Sequence, residues 1–201
     1  MNNQWTRKLF ILTTAGFIIL FSISIINYPG GTPHNIATKG FHFKENYLCN
    51  LLNPKGINGE PNPTYILAIS GSFLLALSFI ITFLAIPQYL RLDDPVKNLI
   101  IWSGIAGMLL APFIFTSYHD VLINWAGFLG TIAFCPAFYH LYLQKKYWNI
   151  FWGITGLSCC GVTYLIYQSH IFFDLLAITQ KLSLVSLLIW QIHLHYIYRR
   201  A

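Results

Sequence analysis

Charge is scarce in this chain. Asp, Glu, Lys and Arg make up 9% of its 201 residues, against 56% hydrophobic ones. A soluble globular domain carries about 25% charged residues, so this composition cannot dress a water-facing surface. It excludes a soluble globule and fits a chain whose solvent is lipid. Acidic residues are scarcest, six against twelve basic ones. The surplus is no nucleic-acid footprint, because the basic residues come in pairs at the ends of apolar runs rather than in one patch. No nucleic-acid partner is expected.

Other absences narrow the reading. The four cysteines include no Cys-x-x-Cys: Cys49 lies in a loop, and Cys135, Cys159 and Cys160 lie inside apolar runs. That spacing excludes a disulfide framework, and no metal or cofactor is expected. The run that follows Arg7 and Lys8 is long for a signal-peptide core, and "SIINYPGG" offers no small-x-small cleavage site, so it is expected to stay as an anchor. Asn62-Pro63-Thr64 has proline in the position that forbids glycosylation. No internal repeat, broken helix or obvious mid-membrane polar group is evident, which ranks a transporter last.

What the sequence does have is long apolar runs. Six of them, at 9–27, 65–87, 98–117, 121–143, 149–167 and 175–198, reach the ~18 residues that cross a bilayer. Their backbones must satisfy their own hydrogen bonds, so they are helices. The fold class is all-α: a polytopic membrane bundle of six transmembrane helices, one domain over 1–201. Pro87, Pro112 and Pro136 fall near helix ends or a turn or two inside, where kinks are tolerable. Short connections, "RLDDPV" and "QKKYW", favour antiparallel neighbours.

The basic residues orient the chain. Cytoplasmic termini place eight inside (Arg7, Lys8, Arg91, Lys97, Lys145, Lys146, Arg199, Arg200) and four outside (Lys39, Lys44, Lys55, Lys181), as the positive-inside rule asks. The expected location is the cell inner or plasma membrane. Small residues four apart recur: Ser72 and Ala76, Ser103 and Gly107, Ala126 and Gly130, Ala133 and Ala137. They read as packing inside the bundle before a homo-oligomer face. Trp5, Trp148 and Trp152 suit an aromatic belt.

The outer side then carries the unusual chemistry. The segment 28–63 is too long for a simple turn and is expected to cap the outer helix ends. In "FKENYLCNLL", Phe43, Tyr47, Leu48, Leu51 and Leu52 could dip one side of a short helix into the bundle. Glu45 and Asn46 would then face Asp120 and Lys181. Asn53, Asn58 and Asn62 read as turn formers. Lys181 lies seven residues after Asp174 on the same helical face, about 10 Å deep at 1.5 Å per residue. A lysine there wants a partner or snorkels to the headgroups; Glu45, Asp120 and Asp174 are the candidate partners. The expected ligand-binding set is Glu45, Asn46, Asn50, Lys181 and Asp174.

Catalytic candidates are His119, Asp120 and Glu45. Ser117, His119 and Asp120 supply a nucleophile, a base and a carboxylate, yet sequence neighbours rarely form a triad because their side chains diverge. Asp120 also suits the N-cap of helix four. His140, His193 and His195 invite a metal, but residues two apart on a helix diverge by about 200°; they read as interfacial histidines.

Residues 41–62, "FHFKENYLCNLLNPKGINGEPN", ahead of an apolar helix, resemble an uncharacterised family of small prokaryotic six-helix membrane proteins, of the domain of unknown function 998 type. They are also distantly similar to the Frag/DRAM/Sfk membrane proteins. Those families carry an aromatic-rich first loop with an Asn- or Tyr-containing run ending in Ile/Leu-Ser-Asp. Glu45, Asn46, Tyr47 and Leu48 match that run; Cys49 replaces the serine and Asn50 the aspartate, which removes a carboxylate role at position 50. The resemblance implies a membrane bundle and, through the eukaryotic relatives, lipid organisation or trafficking. "SYHD" is weakly similar to the Ser…His element of the membrane zinc hydrolases of the ceramidase type. Those need a late H-x-x-x-H on the same side, whereas this chain has "HLH" on the other.

The expected function is therefore a lipid-associated or scaffold-type membrane protein with an outward polar pocket and membrane lipids as partners. The alternative is a membrane-embedded hydrolase of a lipid or its headgroup, with His119 or Glu45 as base, Asp120 as orienter and Lys181 as anion stabiliser.

Overall fold

The structure is a computed structural model that describes residues 3–198. Arg199 and Arg200, two of the expected inner basic residues, lie outside the described residues. Six helices carry the chain: α1 (Asn3–Ile26), α2 (Tyr65–Leu90), α3 (Asp94–Leu110), α4 (His119–Leu143), α5 (Tyr147–Ser169) and α6 (Leu176–Ile197). Short 3₁₀ turns cover Leu48–Leu52, Ala111–Phe115 and Phe173–Leu175. Among the described residues there is no strand, only isolated bridges between Gly30 and Lys39 and between Lys55 and Pro61. All six helices, with their flanking 3₁₀ turns, are long and apolar enough to cross a membrane. The chain is a multi-pass integral membrane protein.

The helix ends shift for identifiable reasons. α1 starts six residues before the apolar run, because "NQWTRK" contains no breaker and Lys8 Nζ lies 5.2 Å from the Trp5 ring centroid. α2 continues through Pro87 to Leu90. α3 begins at Asp94, with Pro95 in its first turn, where a missing amide costs nothing. Its far end tightens to 3₁₀ at Pro112. Arg91, Lys145 and His170 take positive φ just past α2, α4 and α5, the left-handed conformation that closes helix C-termini.

Side chains are distributed as lipid requires. Leu12, Ile19, Trp102, Phe128 and Leu165 face outward, which would be a liability in water. Thr13, Ser24, Ser78, Thr82 and Thr163 donate to carbonyls three or four residues back, which satisfies their hydroxyls within the helix.

The contacts gather into two compact units. The first comprises 1–17, 71–150 and 191–201; the second comprises 18–70 and 151–190. In the first unit, Phe83, Ile86, Ile100 and Leu141 are fully buried. The small-residue stripes meet here: a Cβ added at Gly107 would lie 3.1 Å from the Ala126 carbonyl and 3.4 Å from the Gly130 amide. A Cβ at Gly104 would lie 2.5 Å from the Phe83 ring. Phe83 is sealed in, so Gly104→Val is expected to cost about 1–3 kcal/mol. Gly127, with nothing within 4 Å of its would-be Cβ, should accept alanine without loss. Thermal unfolding of both variants in one detergent checks the contrast.

In the second unit, Leu51, Ala68, Ala177 and Trp190 are buried. Residues 28–64 fold compactly on their own hydrogen bonds. The expected short helix is the 3₁₀ turn Leu48–Leu52, with Leu51 and Leu52 buried as its apolar side. Phe43, assigned to the same side, is instead 61% exposed, because it precedes the turn and escapes its periodicity.

Candidate functional site

The second unit holds all five expected ligand-binding residues, but of these only Asn46 and Lys181 hydrogen-bond to each other; the other polar atoms go to the surrounding chain. Asn46 is fully buried. Its Nδ2 donates to the Gly31 carbonyl at 2.8 Å, and its Oδ1 accepts the His42 amide at 2.7 Å. Its backbone carbonyl accepts Lys181 Nζ at 2.6 Å. Gly31 can offer that carbonyl because it sits at φ +82°, where a Cβ would meet the Asn58 amide at 2.3 Å. Asn50 Oδ1 accepts the Tyr47 amide, and Gln180 Oε1 on α6 accepts the Leu48 amide at 2.9 Å. Asn62 is also buried: its Nδ2 donates to Leu51 and Asn53, and its Oδ1 accepts the Thr64 amide. Asparagine is abundant here because one short side chain satisfies a donor and an acceptor of a backbone folded away from water.

Lys181 does not find the carboxylate expected for it. Its ammonium donates to the Asn46 and Ala177 carbonyls and lies 5.5 Å from the Phe41 ring centroid. Carbonyl oxygens and a ring face stabilise a cation without a second ion. Glu45 instead approaches His42 at 4.0 Å, and Asp174 pairs with His34 at 3.3 Å. Both pairs are substantially exposed and tie little. Asp174 precedes α6 in its own 3₁₀ turn, so it does not continue the α6 face that carries Lys181.

Cys49 lies in the Leu48–Leu52 3₁₀ turn, half-buried and free. Burial pushes its thiol up from the ordinary value, and the nearby Lys181 charge offsets only part of this. Because only the thiolate reacts, a raised pKa means slower labelling at neutral pH. Maleimide should label Cys49 more slowly at pH 7.5 in the folded protein than after denaturation, and faster as pH rises. Equal rates would show the cap to be open.

In the first unit, His119 Nδ1 lies 2.9 Å from Asp120 Oδ1. The structure corrects Asp120 as a cap: α4 opens at His119, Tyr118 holds the cap position, and Asp120 sits in the first turn. Negative charge there still suits the helix dipole.

The largest omission of the sequence reading is also in the first unit. Ser78 and Thr82 on α2 face Gln191 and His195 on α6. Gln191 is fully buried and His195 nearly so. Thr82 Oγ1 donates to the Ser78 carbonyl at 2.9 Å, so it accepts from His195 Nε2–H at 3.1 Å. That tautomer leaves Nδ1 to accept the Tyr89 hydroxyl at 3.0 Å. The imidazole stacks on Phe10 at 3.9 Å, and Gln191 lies 3.3–3.5 Å from the Thr82 and Ser78 hydroxyls. This is a buried polar cluster between α2 and the last two turns of α6. The readable signal is the matched four-residue spacing of Ser78/Thr82 and Gln191/His195. The chain of bonds ends on an amide, which passes no proton, so its chemistry is holding α2 to α6.

Among the described residues, no three His, Cys, Asp or Glu side chains gather as a metal-ligand set. An open cleft of about 380 Å³ lies in the first unit, lined by Leu84, Pro87 and Gln88 of α2, Leu92 of the turn, and Lys97 and Ile101 of α3. Pro87 lacks the amide that would bond back along α2, and the Leu92 amide closes on the Pro87 carbonyl at 3.1 Å. Sequence reasoning missed this site, because no residue in it is unusual alone.

No protein-family model, curated protein or solved structure matches the chain.

Proposed function

We propose that the chain is a lipid-associated membrane protein with a scaffold-type role, seated in the cell inner or plasma membrane with both termini cytoplasmic. The character of the open cleft carries this reading. Its walls are four apolar side chains, and its polar members are an amide and one ammonium, the profile of an acyl chain ending in a headgroup. The segment 28–64 is a structural cap rather than the ligand site, because its buried polar side chains already have partners. The resemblance to lipid-organising membrane families points the same way.

The test is lipid retention. Protein purified in a mild detergent should carry at least one phospholipid per chain after extensive washing. Fully delipidated yet folded protein would contradict the reading.

The hydrolase alternative rests on the 2.9 Å His119–Asp120 pair, which orients an imidazole as a base. It expects cleavage of added phospholipid that His119→Ala abolishes.

A further inference from the structure

Resting on the lipid-associated reading, we infer that the cleft between α2 and α3 selects an anionic glycerophospholipid of the host bilayer, with Lys97 meeting its phosphate.

The cleft runs back along both helices from their shared turn. Leu84 lies six residues before the end of α2 and Ile101 seven after the start of α3, so the wall is roughly 10 Å deep at 1.5 Å per residue. Lys97 lies nearer the turn, so an acyl chain and a headgroup find their matching surfaces in order.

The turn belongs to the basic end of the first unit. Gln144, just past α4, donates to the Leu90 carbonyl at the end of α2, and Tyr198 donates to Gln144 at 2.5 Å. Tyr198 stacks on Tyr89 and lies under Lys146. Phe10 on α1 stacks on His195 of α6. These contacts gather the start of α1, the α2–α3 turn, the α4–α5 turn and the end of α6. That end carries Arg7, Lys8, Arg91, Lys97, Lys145 and Lys146 against Asp93 and Asp94. Such an excess attracts negative lipid, by about fivefold per well-placed cation (~1 kcal/mol).

Lys97 is available. Its present partner, Asp94 at 3.0 Å, is 81% exposed, and an exposed pair of this kind holds weakly. A phosphate that brings its own acyl chain can displace it. A zwitterionic lipid such as phosphatidylcholine offers the same phosphate with a quaternary ammonium whose positive charge the basic end repels.

The experiment uses the full chain in nanodiscs of equal phosphatidylcholine and phosphatidylglycerol, followed by native mass spectrometry of the lipid kept after detergent release. The expected result is phosphatidylglycerol enriched three- to fivefold over the bulk ratio. Lys97→Gln should return the ratio toward bulk, and Asp94→Asn should raise it, which separates charge recognition from misfolding. Leu84→Trp should expel both lipids by filling the cleft. Retained lipid at the bulk ratio, unchanged by Lys97→Gln, would overturn the anionic inference and leave the lipid-associated reading standing. No retained lipid of either class would overturn both.

Discussion

Asn46→Ala is expected to release residues 28–64 from their folded state. The substitution leaves the Gly31 carbonyl and the His42 amide without the side chain that joins them at 2.8 and 2.7 Å. Each buried orphan costs about 1–3 kcal/mol, so a loss of roughly 3 kcal/mol is expected. The loss is local first. Asn46 also presents the carbonyl that receives Lys181, so the tie from the cap to α6 loosens with it. Hydrogen exchange should rise across 28–64 and stay unchanged in α3 and α4. Asn46→Asp keeps the acceptor for His42 but turns a carboxylate oxygen toward the Gly31 carbonyl in a fully buried site, so it should cost at least as much as alanine. A chain indifferent to Asn46→Ala would mean that the cap is held by apolar contact through Leu51 and Leu52 alone.

His195→Ala is expected to be the most damaging single change in the first unit. It removes two bonds between helices, orphans the Tyr89 hydroxyl, and opens a cavity against Phe10. Interhelical hydrogen bonds in membranes average about 0.6 kcal/mol each, so the bonds alone give little. Truncating a buried ring adds about 3 kcal/mol, for a total of about 4. Gln191→Leu should be much milder, because the hydroxyls of Ser78 and Thr82 keep the carbonyls of Leu75 and Ser78 as acceptors. Unfolding of both variants in the same detergent compares them. Equal losses would show that the histidine ring is not the centre of the cluster.

How far the sequence carried depended on what kind of interaction was at stake. Spanning helices follow from composition, and all six were legible. Their ends were less so: α1 extends through "NQWTRK" because polar residues at an interface need not stop a helix. The buried side of 48–52 was legible from Leu51 and Leu52. The partner of Lys181 was not, because a backbone carbonyl has no side-chain signature; the three acidic residues offered as partners were only the visible candidates. Glu45 and Asp174 went to neighbouring histidines, His42 and His34. The cluster around His195 had a readable spacing on both helices. Its meaning appears only once α2 and α6 are known to face each other there. The α2–α3 cleft is a property of shape around Pro87, and shape is what a linear pattern carries least.

The central claim is that lipid occupies the cleft between α2 and α3. Photocrosslinking tests it most directly, with a phospholipid bearing a diazirine on its acyl chain, reacted in vesicles and mapped by peptide. The account predicts labels concentrated on Leu84 and Ile101, the deep wall of the cleft, and loss of the Ile101 label in Leu84→Trp. Labels spread evenly over outward-facing residues such as Leu9, Leu12 and Phe128, with none above that level in the cleft, would contradict it.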